Sequence, residues 1–390
     1  MKSNLKSRLA LEGSVVPLLL LVLLIVTGEK LWERFLPKYL EEIGASVLII
    51  GSLGFLQNLL GAGWALQGGY LSDKLGDRRA FGFFSLMAVA GYLVAIIFQH
   101  WIAVFAGLIF FSAWTNISMP GSLSLIVKSV GKGKAAMGIS MHSIIRRLPM
   151  AVGPLLGALL IGAFGLAAGI RWAFGVSAIL CLAGLFLLKN FSGKNENYEP
   201  LPLRQIWQRM DGRLKNLLVS DILIRFCEQI PYVFVVIWCL NVAKITPAQF
   251  GILTAIEMAV AALIYIPVAS FSDRMERKPF VVATFVFFTL FPALLFFSKS
   301  WWMLVLAFVV RGLKEFGEPT RKAMILDLSI EGAQARTVGV YYFMRDFVVA
   351  FAAFLGGWFW MISPAVNLWT AVGFGVVGTV AFVIFGKGTK

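Results

Sequence analysis

Residues 68–79 read Gly-Gly-Tyr-Leu-Ser-Asp-Lys-Leu-Gly-Asp-Arg-Arg, a charged turn that follows one long apolar run and precedes another. The two glycines end the first run where neighbouring backbones can approach closely. Asp73 lies near the predicted C-terminal end of a helix, where the helix dipole disfavours an anion. We therefore expect Asp73 to contact a cation or the N-terminus of another helix, and that contact could break and re-form when helices move.

The composition excludes a soluble protein. Of the 390 residues, 59% are hydrophobic and 14% are charged, and the mean hydropathy is +0.83. A chain this apolar is typical of an integral membrane protein. The net charge of +15 would indicate nucleic-acid binding in a soluble protein, but here the basic residues lie mostly in short loops between apolar runs, where they set membrane orientation. We therefore predict a lipid bilayer as the surroundings and no nucleic-acid partner.

Apolar runs of about 20 residues predict twelve membrane-spanning helices in two sets of six. The first set lies near residues 15–37, 47–71, 81–99, 102–124, 137–163 and 168–188. The second set lies near residues 217–241, 248–271, 280–298, 302–323, 338–361 and 366–386. We therefore predict an all-α membrane protein with an N-terminal six-helix bundle (1–189), a cytoplasmic linker (190–216) and a C-terminal six-helix bundle (217–390). Helical spacing of apolar residues at 203–210 predicts a short amphipathic helix in the linker, on the inner membrane face.

The distribution of Lys and Arg predicts that both termini are cytoplasmic. With an even number of spans, the loops on the side of the termini hold about 23 of these residues and the opposite loops about 4. Short loops rich in Lys and Arg stay on the cytoplasmic side of a membrane. We therefore expect a multi-pass protein of the cell (inner) membrane.

Residues of like character recur in the two halves at an offset of about 200 positions. The pairs are Glu29 and Glu228, Gly51 and Gly251, Asp73 and Asp273, Pro120 and Pro319, and Arg146 and Arg345. Chance similarity between apolar runs would not carry charged positions along, so we interpret the two halves as copies. The second copy of the opening turn keeps Asp273-Arg274 and a basic end but lacks both glycines.

The opening turn resembles the Gly-x-Leu-x-Asp-Arg-x-Gly-Arg-Arg signature of the major facilitator superfamily. The residues that carry this resemblance, and the conformational role that it implies, are Gly69, Asp73, Lys74, Gly76, Arg78 and Arg79, with Asp273 and Arg274 in the second copy. Lys74 replaces the usual Arg, and span 4 lacks the superfamily's Arg-x-x-x-Gly element. The resemblance implies two six-helix bundles around a single cavity and transport by alternating access.

A second element in span 5 resembles, in part, the Gly-Pro-x-x-Gly element of the proton-antiport and drug-efflux branch of that superfamily. It consists of Gly153, Pro154 and Gly157. Proline frees a backbone carbonyl and the glycines permit close helix contact. We therefore predict a gate or hinge between the halves at this point.

Charged side chains inside the spans are the candidate functional groups, since each costs about 2.5–3.5 kcal/mol at the bilayer centre. Helical spacing places Asp221, Arg225, Glu228 and Tyr232 on one face of span 7. In span 10, the same helical spacing predicts one continuous stripe of charged side chains, formed by Arg311, Lys314, Glu315, Glu318 and Lys322. The candidates for binding the coupling ion are Glu29, Glu228, Glu257 and Glu315. The candidates for lining the substrate cavity are Trp32, Glu33, Trp114, Asn116, Arg146, Arg225, Tyr232, Arg311 and Lys314.

These charges could instead pair internally and only hold the bundle together. Both interpretations stay open for Arg146 and Arg345, because the equivalent helices of the superfamily pack between the halves. For spans 1, 7 and 10 we favour a functional role, because the resemblance implies that these helices line the central cavity.

The resemblance implies a secondary transporter. The sequence shows no Gly-rich phosphate loop ending in Lys-Ser/Thr, so we expect an ion or substrate gradient rather than ATP hydrolysis as the energy source. The three cysteines all lie in predicted spans, which indicates neither a disulfide framework nor a metal site. We expect a monomer without cofactor or enzymatic activity, and a coupling ion that is a proton rather than sodium.

Two substrate classes remain open. Proton-coupled export of an amphipathic organic compound is favoured by Gly153-Pro154 and by the aromatic cavity candidates. The alternative is proton- or sodium-coupled uptake of a small organic anion or zwitterionic metabolite. It is indicated by Arg225, Arg311 and Lys314, whose cationic groups could hold a carboxylate or phosphate.

Overall fold

The computed structural model describes residues 15–75, 77–112, 114, 135–188, 203–272, 276–330 and 334–386, with the backbone alone for some helical stretches such as 65–75 and 135–144. Every regular element in this part of the chain is helical, and it contains no β-strand. The prediction of an all-α protein is therefore confirmed for the described residues.

The helices of the first half follow the predicted apolar runs. They are α1 (Val15–Trp32), α2 (Leu36–Glu42), α3 (Val47–Leu75), α4 (Asp77–Ile97), α5 (Trp101–Ser112), α6 (Ala135–Phe164) and α7 (Leu166–Leu187). A short 3₁₀ turn, Glu33–Phe35, joins α1 to α2. Pro37 stands in the first turn of α2, where its missing N–H costs no helical hydrogen bond.

The second half contains the linker helix and the remaining spans. They are α8 (Leu203–Arg209), α9 (Gly212–Tyr232), α10 (Val235–Ile237), α11 (Pro247–Ser272), α12 (Lys278–Phe297), α13 (Trp301–Leu313), α14 (Glu318–Asp327), α15 (Gln334–Ile362) and α16 (Pro364–Phe385). A π-helical turn, Trp238–Val242, extends α10. The predicted amphipathic helix is present as α8, and Ile206 and Met210 pack into a hydrophobic core with α9, α12, α14 and α15.

Eight described helices are long and apolar enough to cross a membrane. They contain the windows Val47–Trp64, Arg78–Ile97, Ile145–Phe164, Leu166–Leu187, Pro247–Ile264, Lys278–Phe297, Thr337–Ile362 and Pro364–Phe385. The pair formed by α9 and Val235–Val242 would be a ninth, bent by 42°. A multi-pass membrane protein therefore follows from the structure as well as from composition.

Two predicted spans are not continuous helices. The stripe predicted along span 10 is broken, because α13 ends at Leu313 and α14 begins at Glu318. Pro319 lies in the first turn of α14, and a proline has no N–H for the i−4 carbonyl and clashes with it. Gly317 N, in the break, donates to Thr284 Oγ1 of α12 at 2.5 Å. Pro231 has the same effect at the end of α9, where span 7 bends.

The helices group into two compact units. Unit 1 comprises residues 1–45 and 60–198, and unit 2 comprises residues 46–59 and 199–390. The N-terminal part of α3 thus belongs to unit 2, where Gly51 packs directly against Gly357 of α15. The absence of side chains at both glycines allows the two backbones to meet.

The internal repeat predicted from the sequence recurs in the packing of each unit. In unit 1, α1 packs on α6 and α7, and α4 packs on α7; in unit 2, α9 packs on α15 and α16, and α12 packs on α16. Gly157 of α6 lies against the carbonyl of Leu31, and Gly356 of α15 lies against the carbonyl of Ile230. Both residues of the second pair follow those of the first by about 200 positions. The repeated helix contact therefore depends on the same small residue in both units.

Candidate functional site

The charged residues of unit 2 converge around Glu228. Arg225, one turn earlier on α9, donates from Nη1 to Glu228 Oε2 at 2.6 Å. Lys314, the first residue after α13, donates from Nζ to Glu228 Oε1 at 2.8 Å. Glu228 therefore holds one cation on each carboxylate oxygen, and both contacts are charge-assisted hydrogen bonds.

Glu257 of α11 supplies a second carboxylate to the same group. Its Oε1 lies 3.3 Å from Arg311 Nε and 3.4 Å from Lys314 Nζ. Gly312, between these two cations, lets α13 approach α11, because a Cβ there would lie 2.6 Å from the Glu257 carbonyl oxygen. Removing one partner of a buried ion pair costs about 3–5 kcal/mol. The five charged side chains of this group therefore stabilise one another; they are Arg225, Glu228, Glu257, Arg311 and Lys314.

Aromatic rings enclose the Arg311 guanidinium. Its Cζ lies 4.8 Å from the ring centroid of Phe291, 5.5 Å from that of Phe308 and 5.8 Å from that of Tyr232. A cation over aromatic faces is stabilised by the ring quadrupole, more strongly when water is absent. Arg311 is only 2% exposed, so its position is set by protein contacts.

A pocket opens beside these cations. It is lined by Glu228, Val235, Phe288, Phe291, Arg311 and Lys314, and its cavity volume is only about 10 Å³. Its polar groups are two cations and one carboxylate, and its remaining wall is apolar. The sequence predictions placed Arg225, Glu228, Arg311 and Lys314 in one site, and the structure brings these four together.

A second buried network lies along α9, α14 and α15. Asp221 accepts a hydrogen bond from Arg321 Nη1, one from Tyr341 Oη at 3.0 Å and one from Arg345 Nη1 at 3.4 Å. Arg321 also donates from Nη2 to Glu318 Oε1 and Oε2, each at 2.8 Å. Arg321 and Asp221 are each 1% exposed, so both charges are compensated by protein groups alone.

Arg225 links the two networks. Its Nε lies 3.9 Å from Asp221 Oδ1, and its Nη2 lies 3.9 Å from Glu318 Oε2. Sequence analysis did not single out Arg321, although it lies within predicted span 10 (302–323). The available signal was its spacing of three from Glu318, which places the two on one helix face.

Two remaining candidates of unit 2 lie near this site. Tyr232 is partly buried, with its ring facing Arg311. Glu315 is partly buried in the break between α13 and α14, and it does not line the pocket. Lys314 and Glu315 both follow the end of α13, and of the two Lys314 alone lines the pocket.

Unit 1 holds a smaller charged group at the end of α1. Lys30 Nζ donates to Glu29 Oε1 at 2.9 Å and also to Glu33 Oε2. Arg146 of α6, partly buried, interacts electrostatically with both carboxylates. Glu29, Glu33 and Arg146 are thus brought together, as a shared role would require.

The two tryptophans predicted to line a substrate cavity are packed inside unit 1. Trp32 is 2% exposed, and its ring centroid lies 4.9 Å from that of Phe111 and 5.3 Å from that of Phe174. Trp114 is 1% exposed, and its ring centroid lies 6.3 Å from that of Phe81. In this structure both rings fill the core of the unit rather than face a cavity.

The glycines of the Gly-Pro-x-x-Gly element also contact their own unit. A Cβ at Gly153 would meet Lys30 of α1, and one at Gly157 would meet the carbonyl of Leu31. Pro154 lies inside α6, which continues through it. The observed role is close packing of α6 on α1, and the predicted gate between the halves stays a prediction.

Most of the conformational motif lies outside the described side chains. The backbone at Gly69, Asp73 and Lys74 is helical, as the C-terminal part of α3. Arg78 and Arg79, in the first turn of α4, are exposed. The candidates outside the described residues are Gly76, Asn116, Asp273 and Arg274.

Comparison with known proteins identifies the family. The model of the Major Facilitator Superfamily matches residues 18–219 and again 217–388. The chain belongs to the Major Facilitator Superfamily. The double match agrees with the repeat seen in the sequence and in the packing of each unit. An uncharacterized MFS-type transporter from Methanocaldococcus jannaschii is 22% identical over 353 residues, which cover 84% of each chain.

Solved structures show the same fold. A crystal structure of the nucleoside transporter NupG matches with a TM-score of 0.81 at 16% identity, covering 96% of this chain and 100% of that one. A POT family transporter in complex with 5-aminolevulinic acid matches with a TM-score of 0.82 at 12% identity, covering 95% and 96%. This superfamily chain is therefore similar in fold to transporters of different substrates, and the fold does not identify its own.

Proposed function

We propose that the protein is a secondary active transporter that moves a small organic anion or zwitterion by alternating access, with a proton as the coupling ion. The observation that carries this proposal is Glu228, whose two oxygens hold Arg225 and Lys314 beside the pocket of unit 2. Such a carboxylate and a substrate anion would compete for the same cations.

This competition would couple substrate binding to proton binding. A substrate carboxylate that engages Lys314 or Arg225 weakens their contacts with Glu228. A carboxylate left without cations away from water binds a proton, because an unpaired buried charge is costly. When the substrate leaves, the cations return to Glu228 and displace the proton. Substrate and proton would therefore move together, as in symport.

Membership of the superfamily supports the transport function, and two proteins of the same fold are precedents for an anionic or zwitterionic ligand. One structural relative is a peptide transporter crystallised with sulfate, and another is bound to 5-aminolevulinic acid, which carries an amine and a carboxylate. Amphipathic export is the second candidate, favoured by the Gly153-Pro154 element. The burial of Trp32 and Trp114 removes part of the support that the sequence lent to it.

We also propose the full architecture of twelve spans for this transporter. Each predicted span contains a described helix, and spans 7 and 10 each contain a broken pair. The protein would act as a monomer in the cell (inner) membrane with both termini cytoplasmic, as its Lys and Arg distribution indicates. Asp73 would stabilise one conformation of the transport cycle.

Proteoliposomes with an imposed pH gradient test the proposal. A panel of amino acids and monocarboxylates would be screened with an internal pH dye, and the solute that acidifies the lumen would then be radiolabelled. We expect Glu228→Gln to lose gradient-driven accumulation but to keep exchange of labelled for unlabelled solute, because exchange requires no net proton movement.

The control is Glu276→Gln, a change at an exposed carboxylate, which should leave accumulation as in wild type. Gradient-driven accumulation by Glu228→Gln at the wild-type level would remove Glu228 from the mechanism. Absence of proton-linked flux for every solute, in protein that is folded and inserted, would contradict proton coupling.

A further inference from the structure

Arg225 has one donor without a hydrogen-bond partner. Its Nη1 donates to Glu228 Oε2 at 2.6 Å, whereas its Nε is buried and has no partner among the described residues. Only 20% of the side chain is exposed, so little water is available to replace the missing partner. A buried donor that lacks a partner is costly, and a small movement that supplies one is therefore favourable.

Asp221, one turn earlier on α9, holds a matching acceptor. Three hydrogen bonds end on its Oδ2, donated by Arg321, Tyr341 and Arg345. Its other oxygen, Oδ1, faces Arg225 Nε at 3.9 Å. An N–H···O hydrogen bond joins atoms about 2.9–3.0 Å apart, so an approach of about 1 Å would form one here.

From this geometry we infer that Asp221 is a positioning residue for proton coupling, which receives the Arg225 guanidinium when Glu228 binds a proton. This role rests on the proposed function, because it follows the proton that Glu228 would bind. A protonated Glu228 is neutral and holds a cation more weakly, since the contact is no longer between two charges. Asp221 keeps its charge, and Arg225 moves toward it rather than staying unpaired in a buried site.

Of the two cations on Glu228, Arg225 is the one that moves. Lys314 also lies 3.4 Å from Glu257 Oε1 and interacts electrostatically with Glu315, so it keeps carboxylate partners when Glu228 becomes neutral. The further carboxylates of Arg225 are Asp221 and Glu318, each 3.9 Å away. Arg225 therefore has to approach them before it forms a hydrogen bond.

The formal charges of the surrounding helices do not favour either position. Around Glu228, three cations face three carboxylates: Arg225, Arg311 and Lys314 with Glu228, Glu257 and Glu315. Around Asp221 the numbers are again equal: Arg321, Lys322 and Arg345 with Asp221, Glu318 and Asp346. The two other helices packed on α9 add no charge to these groups, because α16 has no ionisable residue and Lys278 of α12 bonds to the Val383 carbonyl. The position of Arg225 therefore depends on its direct contacts.

A crystal structure of the full-length Glu228→Gln variant, compared with wild type at the same pH, tests the movement directly. Glutamine has nearly the shape of a protonated glutamate side chain and carries no charge. We expect Arg225 Nε to lie within about 3.2 Å of Asp221 Oδ1 in the variant. The same position of Arg225 in both proteins would overturn the inference.

Infrared difference spectroscopy of the purified protein measures the pH at which Glu228 binds its proton, because Glu228→Gln identifies the carboxyl band of this residue. Asp221→Asn removes the charge that draws Arg225 away from Glu228. We therefore expect the midpoint to move to lower pH by at least about 0.5 unit, which is about threefold weaker proton binding. If Asp221 only stabilised the fold, the midpoint would stay where it is in wild type.

The matched control is Tyr341→Phe. It removes a hydrogen bond to Oδ2 of the same carboxylate and leaves Oδ1 in place. Its midpoint should equal that of wild type, although its stability falls. An equal shift for Tyr341→Phe and Asp221→Asn would contradict the positioning role.

A second background separates the movement of Arg225 from direct repulsion between the two carboxylates. Removing a negative charge near Glu228 would by itself also lower the midpoint. In Arg225→Gln protein this repulsion persists, but no guanidinium is left to move. We expect Asp221→Asn to shift the midpoint by less than about 0.2 unit in that background. A shift as large as in the presence of Arg225 would show that Asp221 does not act through Arg225.

Neither measurement uses a transported solute, so failure of this inference can be told from failure of the proposed function. Loss of gradient-driven accumulation by Glu228→Gln, with Arg225 unmoved in the crystal, would retain the proposed function and overturn the role of Asp221. Movement of Arg225 in a protein that shows no proton-linked flux would retain its two positions and contradict the proposed function.

Discussion

Replacing Asp221 by Asn tests how far the buried network of α9, α14 and α15 stabilises unit 2. The change keeps the size of the side chain and one acceptor oxygen, but it removes the negative charge. Arg321, buried with Asp221, loses a charge-assisted contact, while its two contacts with Glu318 at 2.8 Å remain. The longer contact with Arg345, at 3.4 Å, is lost at little cost.

The expected destabilisation follows from these contacts. A hydrogen bond to a charged group contributes about 1.5–3 kcal/mol, and a fully uncompensated buried charge costs about 3–5 kcal/mol. Because Glu318 still compensates Arg321, we expect a loss of about 2–4 kcal/mol in the free energy of unfolding. At about 2–4 °C per kcal/mol for a unit of this size, the apparent Tm should fall by roughly 4–16 °C.

Thermal unfolding of the purified protein, followed by tryptophan fluorescence at one fixed scan rate, measures this shift. The matched control is Asp327→Asn, which breaks an ion pair with Arg277 in which the carboxylate is 44% exposed. Exposed pairs contribute about 0–1 kcal/mol, so its Tm should change by less than about 4 °C. Equal shifts for Asp221→Asn and Asp327→Asn would refute the reasoning.

The remaining predictions concern the conformational motif and the repeated helix contact. Asp73→Asn should abolish transport in proteoliposomes without reducing membrane insertion, and wild-type turnover by this variant would contradict the conformational role of Asp73. Asp273→Asn should have a smaller effect, because its turn lacks both glycines. Gly356→Ala should destabilise the protein by about 1–3 kcal/mol in thermal unfolding, because its Cβ would overlap the carbonyl of Ile230. Gly339→Ala, in the same helix but with open space around it, should instead be neutral or stabilise by up to about 1 kcal/mol, so equal changes at the two glycines would show that packing is not the cause.

Hydrophobicity and spacing alone determined the class of protein, the positions of most helices and the duplication. These properties depend on local quantities: the length of apolar runs, the positions of charges between them and the repeat of landmarks such as Glu29 and Glu228. The same patterns picked out Arg225, Glu228, Arg311 and Lys314, because a charge in an apolar helix is costly unless it has a use or a partner.

Only the tertiary structure decided which charges meet. Asp221 of α9 and Arg321 of α14 are 100 positions apart and are joined by a hydrogen bond that no local pattern encodes. In the break between Leu313 and Glu318, the Gly317 N–H donates to Thr284 of another helix, a contact that the sequence does not show. Trp32 and Trp114 looked like cavity residues in sequence and became core residues in the structure, because an amphipathic ring suits either environment until its neighbours are known.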